Sequence, residues 1–74
     1  RLKQSEKAIQ YLKKALIYSE FKEDVYWMLA MEYQQNLNYE TAIVYHKKAL
    51  KENPDNEMVL SEIGLCFECL GNLN

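Results

Sequence analysis

Residues Ala8 to Leu16 read AIQYLKKAL, and thirty-four residues later Ala42 to Leu50 read AIVYHKKAL. From Glu6 to Leu16, eight of eleven positions are identical to their counterparts in Glu40–Leu50. The same offset pairs Glu23 with Glu57, Val25 with Val59 and Tyr33 with Phe67. A fixed period of this length marks a chain built from stacked supersecondary units, none able to bury its apolar face alone.

Within each copy the apolar residues fall at spacings of 3, 4 and 7, which places them on one face of a helix. The breaks lie where helices must stop. Asn53-Pro54-Asp55-Asn56 joins a proline to turn formers, and Pro54 biases Asn53 away from helical angles. Asn36-Leu37-Asn38 and Gly71-Asn72 offer residues suited to helix C-termini. The spacing predicts four helices, near 4–18, 23–36, 39–52 and 57–70. Short connections require sequential helices to pack antiparallel, an all-α arrangement.

These residues resemble the tetratricopeptide repeat (TPR). Its signature places a large aromatic, Leu-Gly and Tyr on a first helix, then Ala, an aromatic, Ala-Leu and Pro on a second. The stretch 23–56 supplies Tyr26, Leu29, Ala30 and Tyr33, then Tyr39, Ala42, His46, Ala49, Leu50 and Pro54. The next copy begins at Glu57 with Leu60, Ile63, Gly64 and Phe67, and the preceding one shows Ala8, Leu12, Ala15 and Leu16. Three positions depart from the pattern: His46 where an aromatic is usual, Leu37 for glycine and Glu20 for proline. The resemblance implies a right-handed α-solenoid of stacked antiparallel helix pairs. It divides the chain into the second helix of a partial repeat (1–22), a complete repeat (23–56) and the first helix of a further one (57–74). Small residues, Gly64 among them, are then expected where helix backbones approach closely, with Tyr26, Leu29, Tyr33, Ile43 and Leu50 filling the space between.

In that family the first helices of successive repeats line a concave groove that binds peptides. Here the resemblance assigns to it Asp24, Trp27, Met31, Gln34 and Gln35, followed by Met58, Ser61, Leu65, Glu68 and Cys69. Trp27 lies about 100° round its helix from the core residue Tyr26, so it either faces the groove or packs against a neighbouring helix. Trp and Met side by side form an adaptable apolar surface. Some members clamp a terminal carboxylate with basic residues. Those places hold Trp27, Met31, Ser61 and Leu65, so the expected ligand is a protein or peptide segment, apolar or amphipathic.

Other chemistry finds little support. Cys66 and Cys69 bracket Phe67-Glu68 near the end of a helix, with only the distant His46 to join them, short of the four ligands a structural zinc needs. Cys66 is expected to act as a small buried hydrophobe, and unpaired thiols favour a reducing, cytoplasmic setting. His46 is expected on the core face, where mild acid affects stability. Lys13, Lys14, Lys47 and Lys48 are expected on the solvated outer face. No phosphate loop, nucleophile triad or inward carboxylate pair is present, so no enzyme, cofactor or metal site is expected.

Charge adds one asymmetry. Residues 1–22 carry six basic and two acidic side chains, +4, whereas residues 23–74 carry three basic and nine acidic, −6. The net −2 disfavours nucleic acid, and the opposed ends favour head-to-tail stacking of like modules. No apolar run nears the ~18–20 residues of a membrane span. Opening on Arg1 within a helical pattern, the chain is expected to be a piece of a longer protein, and the alternatives to a binding module are a structural spacer, a self-association element or a regulatory arm of an enzyme or signalling protein. Its end helices are expected to leave Leu65, Leu70 and Leu73 uncovered.

Overall fold

The computed structural model describes residues 2–73 and, among them, contains four helices and no strand: α1 Leu2–Tyr18, α2 Lys22–Gln35, α3 Tyr39–Glu52 and α4 Glu57–Leu73. All four lie within a few residues of the spans read from the sequence. The difference is largest at α4, which runs through Gly71 instead of stopping before it, and no glycine has a positive φ. A glycine within a helix costs roughly 1 kcal/mol relative to alanine, too little to end one by itself.

The turns are closed by short polar side chains. After α2, the Leu37 N–H donates to the Gln34 carbonyl at 3.0 Å and the Asn38 N–H to the Tyr33 carbonyl at 2.9 Å. These two bonds are the paired closure of a helix that ends in a left-handed residue. That residue is Leu37, at φ 64°, in the place where the repeat prefers glycine. Asn38 then caps α3, its Oδ1 accepting from the Thr41 N–H at 3.3 Å, and Asn56 does the same for α4 through the Val59 N–H at 3.2 Å. Asn53 is extended ahead of Pro54, as its position requires.

Helix α3 packs between α2 and α4, while α1 packs on α2. The α2–α3 pair is antiparallel: Asn53, just past α3, donates to the Glu23 carboxylate at the start of α2 at 3.2 Å. Asn56 donates to the same carboxylate oxygen at 2.6 Å, tying the α3–α4 turn back onto α2. At the interface Tyr33 stacks on Tyr45 with ring centroids 5.6 Å apart, and Tyr26 leans on the same ring at 6.3 Å. Leu29, Ala30, Ala42 and Ala49 have no exposed surface, so the small residues do allow close approach here. A second cluster joins Ala42, Ile43 and Cys66, with Tyr33, Tyr39 and Leu70 packed against it.

The result is a slab of 37 × 33 × 13 Å. Its accessible surface is 5452 Å², against about 4,800 Å² for a compact chain of this mass. Several large apolar side chains of the end helices are exposed. Tyr11 is 74% exposed, and Leu60, Leu65 and Phe67 are each about half exposed. Two expectations are corrected there. Leu70 is not left uncovered, because it packs onto the Ile43 cluster of α3. Gly64 marks no close approach, because no other element packs on its side of α4: a Cβ built there meets no atom within 4 Å. The Leu73 side chain lies outside the described residues.

Candidate functional site

Trp27 is the centre of the face formed by the first helix of the repeat. It is half-buried and borders two adjoining concavities. One, about 500 Å³, lies between α1 and α2 and is lined by Tyr11, Leu12, Met28, Met31 and Gln35 among others. The other, about 300 Å³, lies towards α4 and is lined by Glu23, Asp24, Asn56 and Met58. The indole Nε1 is buried without a hydrogen-bond partner. Trp27 thus both packs and lines an open surface, since the helix presents it at a seam between neighbours.

Of the other residues assigned to the groove, Asp24, Gln35, Met58, Ser61, Leu65 and Glu68 are exposed and Met31 is half-buried. Met31 and Gln35 share the larger concavity with Trp27, and Asp24 and Met58 share the smaller one. α4 carries no lysine or arginine, and the only one in α2 is Lys22.

Gln34 and Cys69 do not join that surface. Gln34 lies one turn from the fully buried Ala30 and points inward. Its Nε2 donates to Glu62 Oε1 at 2.9 Å, and its Oε1 lies 3.1 Å from His46 Nε2 and 3.5 Å from Cys66 Sγ. An amide oxygen only accepts, so His46 Nε2 carries the proton and Nδ1, buried without a partner, is bare. One side chain of α2 therefore gathers α3 and α4 around itself. Cys69 turns to Tyr39, whose pKa is raised first by its hydrogen bond with that thiol. Both misplacements had a signal in the sequence, since Gln34 follows Ala30 by four residues and Cys69 follows Cys66 by three.

His46 is fully buried, as its place on the core face requires. Burial pushes its pKa below the ordinary value, against an opposing pull from Glu62. Cys66 is likewise inside, and burial, with Glu62 and Cys69, pushes its thiol upward. A thiol shifted in that direction is a poor nucleophile. Among the described residues no group of three or more His, Cys, Asp or Glu is arranged to hold a metal ion.

Stacked antiparallel helices repeating at a fixed sequence interval define the class as a helical-repeat solenoid. Residues 23–56 match the tetratricopeptide repeat family, and this part of the chain is a tetratricopeptide repeat. Repeats of this family are in general modules of protein–protein interaction rather than catalysts. Among curated proteins and among solved structures, no match was found. No helix among the described residues is long and apolar enough to cross a membrane.

Proposed function

We propose that the surface through Asp24, Trp27, Met31, Met58, Ser61 and Leu65 docks an apolar or amphipathic segment of a partner protein. The observation that carries this reading is Trp27, a large aromatic bordering two concavities with Met28, Met31 and Met58 around it. Aromatic anchors at the centre of such surfaces supply most of the energy of many protein interfaces. Methionines add a lining that adapts to different ligand shapes. A ligand held by its terminal carboxylate is disfavoured, because no basic residue stands on this surface.

The chain's single tryptophan makes the test direct. Peptides selected from a display library against the 74-residue chain are titrated while Trp27 fluorescence is followed. Docking at this surface shifts the emission, and Trp27→Ala with Met31→Ala weakens binding by at least ~10-fold. Binding of the selected peptides that survives the double substitution, with helicity intact by circular dichroism, removes the groove from consideration.

A further inference from the structure

The net charge of −2 conceals a division between the two kinds of helix. The first helices of the repeats, α2 and α4, carry six carboxylates against Lys22 alone, −5. The second helices, α1 and α3, carry seven lysines against Glu6, Glu40 and Glu52, +4. A charge split that the sequence presents as one end against the other is, in the fold, a split between helices that bear the groove and helices that back it.

Two of these carboxylates meet the groove in the smaller concavity. It measures about 300 Å³ and is lined by Glu23, Asp24, Trp27, Asn56 and Met58. Its walls are α2, the α3–α4 turn and α4, all internal to the chain. Asn53 and Asn56 both donate to Glu23 Oε2, at 3.2 and 2.6 Å, which anchors that carboxylate and leaves Oε1 unused by either. Lys22 lines the neighbouring concavity instead, with Glu20 and Glu52. Acidic side chains in a first turn complement the helix dipole wherever they occur. That role needs no aromatic ring, and here Trp27 and Met58 share the space with them.

Carboxylates beside an indole and a thioether suit a side chain with an apolar stem and a cationic end. A purely apolar group would take the carboxylates out of water with nothing to pair them, and an anion would be repelled. We propose, given docking at the Trp27 surface, that the partner segment is basic as well as apolar and sets one lysine or arginine in this concavity. Its stem lies along Trp27 and Met58, and its charge meets Asp24 and Glu23. The excess of negative charge on α2 and α4 draws the same segment in from a distance.

Peptides selected from a display library against the 74-residue chain serve as probes. Each lysine is replaced in turn by norleucine and each arginine by citrulline, which removes the charge and keeps the stem. One such replacement is expected to weaken binding about 10-fold at low salt. Added salt shrinks that loss. Asp24 is exposed, so Asp24→Asn leaves the chain folded, which circular dichroism checks. This variant binds the parent peptide about 5-fold more weakly, and the sensitive position loses most of its effect. Peptides that need Trp27 and Met31 yet tolerate the loss of every cation overturn the cation site and leave docking standing. A sensitive position that keeps its full effect in Asp24→Asn does the same. Peptides indifferent to Trp27 and Met31 overturn docking itself, and the cation site with it.

Discussion

Ala8–Leu16 and Ala42–Leu50 are nearly the same words in unlike surroundings. In the second copy Tyr45 is sandwiched by Tyr26 and Tyr33, and Ala42, His46 and Ala49 have no exposed surface. In the first copy Tyr11 is 74% exposed, and Ala8, Leu12 and Ala15 are only half-buried. The helix is the same helix. α3 has a neighbour on two sides and α1 on one, so identical residues do different work. In a repeat of this kind a residue type specifies a fitting, and the adjacent unit decides whether it is used.

The sharpest way to break the comparison is to truncate the shared tyrosine in each copy. Tyr45→Ala removes the ring on which two others pack, and a loss of about 2–3 kcal/mol is expected in urea unfolding. Tyr11→Ala in dilute solution is expected to stay within about 0.5 kcal/mol. Equal effects would mean that α1 is as fully packed as α3.

A second test uses the one core position where the copies differ in kind, Leu12 against His46. The folded pKa of His46 lies below its unfolded value near 6.5 because burial disfavours the charged ring. Between those two values the unfolded chain binds the extra proton. The stability is therefore fully present above about pH 6.5 and is lost as pH falls towards the folded pKa. Thermal unfolding followed from pH 7.5 to 5 is expected to show a falling Tm. His46→Leu, which restores the residue of the first copy, is expected to flatten that dependence. A wild-type Tm that holds constant over this window would place the ring in contact with water.

The smallest effect concerns the turn after α2. Leu37 holds a left-handed conformation at φ 64°, a strain of roughly 1–2 kcal/mol for a residue with a Cβ. Its side chain is 67% exposed, so little packing offsets that strain. Leu37→Gly relieves it but loosens the unfolded chain, leaving a net gain of about 0.5–1 kcal/mol. A decrease on substitution would show that the leucine side chain packs more than its exposure indicates.

Much of the fold was legible in the residues. The period and the turn formers placed four helices, and the pattern put His46 and Cys66 inside. The open surface was harder to read. Its stripe was taken from family positions, which swept in Gln34 and Cys69 although each shares a face with a buried residue one turn away. Gln34 is polar, and such side chains are mostly exposed in folded proteins. In the folded chain its amide instead satisfies three side chains drawn from α3 and α4. Gly64 failed the other way, since a small residue invites a close approach only when something arrives to make it.

Helix spans and caps follow from local chemistry: the helical backbone bonds join residues four apart, and the bonds accepted by Oδ1 of Asn38, Asn53 and Asn56 reach no further than three positions. Those features are therefore written in the order of the residues. Burial is not, because it depends on surfaces brought from far along the chain. Tyr11 and Tyr45 carry the same side chain in the same phrase, and the packing of α2 against α3 half-buries Tyr45 under two other rings while Tyr11 stays 74% exposed.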